Sequence, residues 1–463
     1  MSGFATRLVG NVRQLLDLPL SFMGLAFFRS WLSLLTSQEL LSGLNEQVHD
    51  IGLAAMLVAL ALCAPRLAPL ICRRGAIALG TACALFVSAA ALALSASGGA
   101  ASSLGVLAAA GTALASSLFI LMWCELYCSL DITRAALSLA LATVGAEALN
   151  LLLEGMSEPY RQAALFVLPC LCSLTLLRAR SLVAFKTGRA SSVMRFKVPW
   201  KLIGLIALYY LASGICMGIA GTSNPWYGSA ANAISGVVLL VAVVIFSQTF
   251  DLATACTSPA LLLMPALLLL PFVGTSQNDI AAICTALSVA VFQLAVFLIM
   301  CDISRRHGIP AMLLFGLEEA TVAFRSVGLF AGSHGESLAA TGIPVSTVAV
   351  ACVALTIIAT LLLFNKQELA EAWGVGLFGP GKMAHDAQAF ETLRAACDTA
   401  AKAHGLTPRE CEVLCMLARG ATIKEMCDEL NIARGTVKAH CEHIYTKMGV
   451  RSKKELSRML GAK

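Results

Sequence analysis

Long apolar stretches, separated by short polar segments, run through the first 364 residues of the chain. A helix needs about 20 apolar residues to cross the hydrocarbon core of a bilayer. The stretches that approach this length predict twelve membrane-spanning helices. They lie near residues 18–36, 48–64, 75–95, 101–124, 133–153, 162–178, 200–220, 228–247, 255–273, 280–300, 310–331 and 343–364.

The pattern changes after Phe364, where the apolar stretches end and polar residues become frequent. Glycines and a proline between Gly374 and Gly381 indicate a break in regular structure. An amphipathic helix is predicted from Asp386 to His404, either as a dimer contact or as a spacer. The predicted organisation is a membrane domain over residues 1–364, a linker over 365–404 and a small helical domain over 405–463.

Three capping signals mark helix starts in the last segment: Thr407 with Glu410, Thr422 with Glu425, and Ser452 with Glu455. In such a box the hydroxyl accepts from a backbone N–H three residues on, while the glutamate reaches back. A short turn around Ile432 separates the second helix from the third. Two short helices joined by such a turn, the second one basic, form the helix-turn-helix pattern. The predicted fold class is all-α, with a polytopic membrane helical bundle followed by a small four-helix DNA-binding domain.

The third helix of this domain, from about Arg434 to Met448, has two different faces. Its apolar residues recur at helical spacing and are expected in the core: Val437, Cys441, Ile444 and Met448. The opposite face carries Gly435, Ala439, Glu442 and Thr446, flanked by Lys438 and His443. Small side chains would let the helix enter a major groove, and the flanking cation can reach phosphate. An ordinary solvated helix face is the alternative.

The segment with these signals resembles the DNA-binding domain of LuxR-type (NarL/FixJ-type) bacterial transcription regulators. The resemblance lies in the run LTPRE, the EVL that follows, and the TVK, His, Ile, Lys and GV of the third helix, within residues 405–460. It implies that the helix from Ile423 to Leu430 is a scaffold and that the helix from Arg434 reads double-stranded promoter DNA. It also implies that the helix from Ser452 to Leu460 pairs two such domains as a homodimer.

Together, the resemblance and the outward face give a set of expected site residues. The expected DNA-binding residues are Thr422, Arg434, Gly435, Thr436, Lys438, Ala439, Glu442, His443, Thr446 and Lys447. The expected dimer residues are Lys453, Leu456, Met459 and Leu460. Three positions depart from the family pattern: Ala433 replaces a capping Ser, Cys427 replaces a small Ala, and Glu442 stands where relatives are often basic. The last departure leaves the preferred DNA sequence open.

The composition is that of a polytopic membrane protein and excludes a wholly soluble one. Hydrophobic residues make up 58% of the chain, charged residues 13%, and the mean hydropathy is +0.81. The formal net charge of +6 lies mostly in the tail, where residues 406–463 hold eleven Lys or Arg against seven Asp or Glu. Such a tail suits a polyanionic partner. The seventeen cysteines show no CxxC spacing, so free thiols are expected rather than disulfides or a zinc site.

The charges between the predicted spans indicate an orientation. With the N-terminus inside, the inner segments hold Arg7, Arg13, Arg66, Arg73, Arg74, Arg134, Arg178, Arg180, Lys186, Arg189, Arg195, Lys197, Lys201, Arg305 and Arg306. The outer segments hold Arg161 with Glu39, Glu46, Asp50, Glu158 and Glu336. This positive-inside bias and an even number of spans predict an inner-membrane protein with cytoplasmic N- and C-termini, where the C-terminal domain can reach DNA.

The basic loop from Arg178 to Lys201 divides the twelve predicted spans six and six. That layout resembles a major-facilitator-type transporter, in which two six-helix halves surround a central cavity. The loop after the second span carries Arg73 and Arg74 but lacks the Gly and Asp of that family's signature. The resemblance therefore implies the architecture and leaves transport open.

Ionisable residues inside the predicted spans are costly in hydrocarbon and mark either a partner or a cavity. Those found, with one amide beside them, are Arg29, Glu147, Asn150, Glu318, Glu319 and Arg325. Glu318 and Arg325 are seven positions apart and so should share a face of one helix. Two interpretations stay open: buried ion pairs that fix the bundle, or a polar pocket between the halves that binds a small-molecule ligand.

No phosphate-binding loop, nucleophile elbow or metal motif is found, so no enzymatic activity, cofactor or metal is expected. The chain is interpreted as a membrane-embedded one-component transcription regulator whose membrane domain senses a signal. RNA polymerase is a further candidate partner. The alternative is a secondary transporter that carries a regulatory DNA-binding domain, and a third hypothesis is a membrane anchor whose spans sense nothing.

Overall fold

The computed structural model describes residues 18–37, 44–97, 103–183, 198–220, 225–246, 275–333, 403–418 and 434–450, with single residues and short pieces between 347 and 459. Within these residues all regular secondary structure is helical. The chain separates into two compact units, Met1–Leu377 and Phe378–Lys463.

The membrane unit is built from long helices joined by short turns. Its described helices are α1 (Leu25–Ser37), α2 (Leu44–Leu67), α3 (Arg74–Ser97), α4 (Ser103–Ser129), α5 (Ile132–Glu154), α6 (Glu158–Leu182), α7 (Trp200–Ala220), α8 (Pro225–Phe246), α9 (Thr275–His307), α10 (Ala311–Ala320) and α11 (Ala323–Ser333). Two 3-10 turns, Leu20–Met23 and Leu70–Cys72, precede α1 and α3.

Eight of these helices, α2 to α9, are long and apolar enough to cross a membrane, counting only the described residues. Each coincides with a predicted span. The first predicted span is a shorter apolar helix, Leu20–Thr36, which begins with a 3-10 turn. The predicted ninth span, 255–273, lies outside the described residues, as does nearly all of the twelfth, 343–364.

The predicted eleventh span, 310–331, is not one helix but two, because the helix is interrupted between α10 and α11. The N–H and hydroxyl of Thr321 both donate to the carbonyl of Glu318, at 2.9 and 2.6 Å. The N–H of Val322 then donates to the carbonyl of Glu319 at 3.1 Å. These bonds span three residues instead of four, which is the tighter 3-10 geometry and ends the α-helix.

The helices that precede the basic loop pack against the helices that follow it at two main contacts. Helix α5 lies against α8, and α2 lies against α10, which also contacts α4. Local signals set where some helices begin: the Asp131 carboxylate caps α5 by accepting from the N–H of Thr133 at 3.3 Å. The two sets of helices therefore face each other across α2, α4, α5, α8 and α10.

Helices α7 and α11 approach so closely that their contact requires glycine. A Cβ atom at Gly214 of α7 would collide with the backbone carbonyl of Arg325, and one at Gly328 of α11 would collide with that of Leu211. Gly218 extends the same contact one turn along α7. Small residues that let backbones meet are a common basis of helix association in membranes.

The C-terminal unit contains α12 (Pro408–Ala418) and α13 (Arg434–Met448), packed against each other. The face of α13 predicted to be apolar is buried, as expected: Val437, Cys441, Ile444 and Met448. These residues share a core with Cys397, Val413, Leu414, Leu417, Met426 and Leu456. Gly449 ends α13 with a φ of +68°, a left-handed conformation that favours glycine.

Candidate functional site

Arg29 of α1 lies at the centre of the membrane unit and joins the first helix to the fifth. Its Nη1 donates to the hydroxyl of Thr143 at 3.0 Å. The neighbouring Ser30 donates to the carbonyl of Ala146 at 3.1 Å. The guanidinium also interacts electrostatically with the charge of Glu147. The sequence-predicted residues Arg29 and Glu147 are therefore brought together.

Glu147 of α5 is buried, and amides hold both of its carboxylate oxygens. Asn150 donates to Oε2 at 3.2 Å, as its predicted place in the site suggested. Asn232 of α8 donates to Oε1 at 3.1 Å and thereby connects the two sets of helices. The sequence analysis missed Asn232. An asparagine within an otherwise apolar span was the available signal.

Glu318 and Glu319 lie in the last turn of α10, and Arg325 lies in α11 beyond the interruption. The prediction that Glu318 and Arg325 share a face of one helix is wrong, because the helix is interrupted between them. The charge of Arg325 acts on Glu319, together with that of Arg29, whereas the interaction found for Glu318 is with Glu319. Glu318 is 4% exposed. Among the described residues, none donates a hydrogen bond to its carboxylate.

A second polar group, absent from the predicted site, links α2 to α11. The Asp50 carboxylate is bonded to the ring Nδ1 of His49 at 3.0 Å and to the hydroxyl of Ser326, and the charge of Arg325 acts on it. The sequence analysis assigned Asp50 to an outer loop, but it lies within α2 and is half-buried. The ring Nε2 of His49 is buried and has no partner among the described residues.

Two buried tyrosines complete the centre of the unit. Tyr210 of α7 interacts with the charges of Glu318, Glu319 and Arg325, and its hydroxyl is hydrogen-bonded to Gln293. Tyr127 of α4 donates to the carbonyl of Phe22 at 2.9 Å and lies near Arg29. Residues from both sets of helices thus converge on one polar region, which we call the central cluster. It consists of Arg29, Tyr127, Thr143, Glu147, Asn150, Tyr210, Asn232, Glu318, Glu319 and Arg325.

A separate set of contacts lies where α4 ends and α5 begins. Arg305 of α9 pairs with Asp131 at 3.2 Å. The sulfurs of Cys128 and Cys301 are 3.6 Å apart. Nearby, the buried Glu125 carboxylate accepts from the N–H groups of Leu70 and Ile71 at 3.0 and 2.9 Å. The first two contacts join α9 to the earlier helices at this end of the bundle.

The predicted DNA face of α13 is exposed in the C-terminal unit. The described members of the predicted set all lie at exposed positions: Arg434, Gly435, Thr436, Lys438, Ala439, Glu442, His443, Thr446 and Lys447. A Cβ atom added at Gly435 would meet no other atom within 4 Å. Thr422 lies outside the described residues. The small residues thus leave the backbone of α13 open to a partner.

Lys447 has an interaction that the sequence analysis did not predict. Its Nζ binds the Glu410 carboxylate at 2.7 Å, and His443 approaches the same group at 3.8 Å. The capping box at the start of α12 is confirmed: the Thr407 N–H donates to Glu410 at 2.7 Å, and the Glu410 N–H donates to the Thr407 hydroxyl at 3.3 Å. Lys447 and then the Thr407 N–H hold the pKa of Glu410 at about 2, below its ordinary 4.5. Lys447 therefore ties α13 to α12.

The predicted dimer residues are not equivalent. Leu456 is fully buried in the core of its own domain, so its assignment to a dimer surface was wrong. Met459 is 52% exposed and remains accessible to a partner. Lys453 and Leu460 lie outside the residues that the structure describes.

Comparisons with known proteins identify the C-terminal domain. The model of the family described as bacterial regulatory proteins, luxR family, matches residues 404–460. The HTH-type transcriptional regulator YhjB of Escherichia coli is 44% identical over 55 residues, which cover 12% of this chain and 28% of YhjB. The oxygen regulatory protein NreC of Staphylococcus aureus is 45% identical over 51 residues, 11% of this chain and 24% of NreC.

The chain thus spans about a quarter of the length of the curated relatives that it matches. The predicted resemblance is confirmed, and the last residues form a LuxR-type helix-turn-helix domain. The stretches matched by YhjB and NreC are 55 and 51 residues long, about the length of this domain.

Solved structures resemble the membrane unit instead. The fucose:proton symporter FucP of Escherichia coli, a major facilitator superfamily transporter, has a TM-score of 0.50 and 12% identity, covering 77% of this chain and 99% of that one. A bacterial homologue of the iron transporter ferroportin, in an outward-facing state, also has a TM-score of 0.50, with 15% identity over 76% of this chain and 98% of its own. At this identity the likeness shows the fold alone. The chain is a multi-pass membrane protein with a major-facilitator-like fold.

Proposed function

We propose that this chain is a membrane-embedded, one-component transcription regulator. A small molecule binds at the central cluster of the membrane unit, and this binding controls how the LuxR-type domain engages promoter DNA. The proposal keeps the protein in the inner membrane with both termini in the cytoplasm, where DNA is accessible.

The observation that carries the proposal is that one chain combines an exposed helix face in the C-terminal unit with a buried polar cluster in the membrane unit. Helix α13 presents a face of exposed small and basic residues, such as Gly435 and Lys438, as expected for a helix that enters a major groove. The central cluster contains Glu318, a buried carboxylate that the described residues do not satisfy. Buried polar groups without partners are unusual unless a ligand, water or ion completes them.

We further propose that two C-terminal domains pair when they bind DNA, with Met459 at the contact. LuxR-type sites would then be symmetric, with half-sites about one helical turn apart. RNA polymerase is a candidate partner of the DNA-bound pair. Pairing through Met459 predicts that Met459→Glu weakens DNA binding while it leaves the fold of the domain intact.

The direct test is selection of genomic DNA fragments by the full-length protein in lipid nanodiscs, followed by sequencing of the bound fragments. We expect enrichment of one symmetric motif, and loss of that enrichment in Lys438→Ala. Glu154→Gln, at an exposed position of the membrane unit, is the matched control and should enrich the same motif. Binding without any common motif would contradict the proposal.

The second candidate function is a secondary transporter that also carries a regulatory domain. The observation in its favour is the major-facilitator-like fold, shared with two proteins described as transporters or their homologues. Uptake of labelled compounds into vesicles that contain the purified protein separates the two functions. Accumulation that requires Glu318 would favour the transporter, whereas binding without accumulation favours the regulator.

A further inference from the structure

The carboxylates at the centre of the membrane unit differ in how the protein compensates them. Three of them have hydrogen-bond donors or cations as partners, and one does not. The partnered ones are Glu147 with Asn150 and Asn232, Glu319 with Arg29 and Arg325, and Asp50 with His49 and Ser326. Glu318 is the exception, since its interaction among the described residues is with another carboxylate, that of Glu319.

The two long apolar stretches of the membrane unit that lie almost entirely outside the described residues have no lysine or arginine in their sequence. These stretches are residues 247–274 and 334–364. Within the described helices, Arg29 and Arg325 are the guanidinium groups near the cluster, and both act on Glu319. Four carboxyl groups therefore share two guanidinium groups, an excess of acidic over basic groups among the described residues.

The position of Glu318 along its helix also disfavours a negative charge. Glu318 lies in the last turn of α10, where the backbone carbonyls give the helix end a partial negative charge. An acidic side chain is unfavourable there, and a cation is favourable. The charge of Glu318 also acts on the phenol of Tyr210 and the thiol of Cys124, neither of which brings positive charge.

We propose that Glu318 binds the cationic group of the ligand and that the ligand is an organic ammonium compound. This inference rests on the proposed sensing role of the central cluster. An ammonium group supplies both the charge and the N–H donors that Glu318 lacks, and charge-assisted hydrogen bonds of this kind are the strong ones. A neutral ligand would bring no positive charge to a buried carboxyl group whose ionised form is costly without a cation.

The test uses full-length protein in detergent and compounds that differ only in charge. Hexylamine and cyclohexylamine are each compared with the alcohol of the same carbon skeleton, hexanol or cyclohexanol. Binding is measured as the ligand-dependent rise in unfolding temperature, which follows from mass action. We expect stabilisation by at least one amine and none by its alcohol. Equal stabilisation by amine and alcohol, or no stabilisation by either amine, overturns the proposal.

Variants at single glutamates test whether the amine binds at Glu318. Glu318→Gln keeps the shape and removes the charge, and should weaken amine binding about ten- to a hundredfold. Glu154→Gln, a change of the same kind at an exposed end of α5, should bind amines as the wild type does. Undiminished amine binding by Glu318→Gln would also overturn the proposal.

A second variant tests the proposal in case Glu318→Gln does not fold. Glu318→Asp keeps the charge and should keep the preference for the amine over the alcohol, with lower affinity. A Glu318→Asp protein without that preference contradicts the proposal. The assay contains no DNA, so a negative result here leaves the proposed regulatory function standing, and failure of the DNA selection leaves the ammonium site standing.

Discussion

At the scale of single residues, both units contain buried carboxylates whose hydrogen-bond donors come from more than one part of the chain. In the C-terminal unit, Glu410 is 4% exposed yet well compensated, because Lys447 and the Thr407 N–H both reach it. In the membrane unit, Glu147 is compensated by two amides that come from different helices. The two residues show the same rule, that a buried charge needs donors on more than one side.

Glu410 predicts a pH dependence for the stability of the C-terminal domain. Its pKa is about 2 in the folded domain, below the ordinary 4.5, so the stabilisation is complete above pH 4.5 and is lost as the pH falls toward 2. We expect Glu410→Gln to destabilise α12 and α13 at pH 7 and to differ much less from wild type at pH 3. Hydrogen exchange of peptides from residues 403–450, measured by mass spectrometry, checks this.

Glu412→Gln is the matched control, since Glu412 pairs only with the exposed Arg409 on its own helix among the described contacts. It should leave the exchange rates nearly unchanged. A Glu410→Gln effect that is equally large at both pH values would show that geometry, rather than charge, accounts for the role of Glu410.

Lys438 and Glu442 predict two different effects on DNA binding, because both are exposed on α13 but carry opposite charges. Lys438→Ala should weaken binding and, if its contact is to phosphate, reduce the log–log salt slope by about one unit. Glu442 can only accept, so it would pair with a cytosine or adenine amino group. Glu442→Ala should bind random DNA more tightly and lose discrimination worth roughly 1–3 kcal/mol at one base pair per half-site.

Competition binding by full-length protein at two salt concentrations measures both effects. Glu412→Gln serves as the control, since Glu412 lies on α12, outside the predicted DNA face, and pairs with Arg409 on its own helix. Unchanged base preference in Glu442→Ala would mean that the face of α13 in the groove is rotated away from this residue.

At the scale of elements, the contact between α7 and α11 depends on glycine. Gly214→Ala should destabilise the membrane unit by about 1–3 kcal/mol, because its Cβ would meet the backbone of α11 rather than a movable side chain. Gly204→Ala on the same helix has open space around it and should be neutral or stabilising, by up to about 1 kcal/mol. Thermal unfolding of the purified variants measures the difference. Equal losses in both would contradict this account.

Helix existence was predictable here, and helix continuity was not. Length and hydropathy located α2 to α9 correctly, because a spanning helix must be long and apolar. The interruption before α11 carries no proline or glycine at Thr321 or Val322, so the sequence offered no breaking signal. The interruption instead depends on the Thr321 hydroxyl, which donates back to the carbonyl of Glu318 in the folded bundle. Such a side-chain hydrogen bond competes with the backbone hydrogen bonds of the helix.

At the scale of the whole molecule, the distribution of basic residues predicts a topology. A reporter fused after Lys366 should be active only in the cytoplasm, and one inserted after Ser97 only on the other side, since basic loops stay inside. Alkaline phosphatase and green fluorescent protein fusions at both positions provide the measurement. A signal from outside the cytoplasm at Lys366 would separate the C-terminal domain from DNA and contradict the proposed function.

Site residues could be predicted where the signal lies within one short stretch of sequence, and not where it depends on contacts between distant stretches. The apolar face of α13 follows from residue spacing alone, and the structure confirms all four of its residues. The charged residues of the membrane unit were found because each is conspicuous in an apolar span. Their partners were not, since Asn232 reaches Glu147, and Ser326 reaches Asp50 in the second polar group, only through contacts between distant parts of the chain.

The interruption between α10 and α11 divides one predicted membrane crossing into two short helices with different main supports. The first, with Glu318 and Glu319, rests mainly on α2 and α4, and the second, with Arg325, is fixed mainly to α7 by close backbone contact. A continuous helix would transmit any twist about its axis along its full length. The interruption uncouples the torsion of the two helices, so under the proposed function we expect a compound that binds Glu318 to reorient α10 more than the α7–α11 pair.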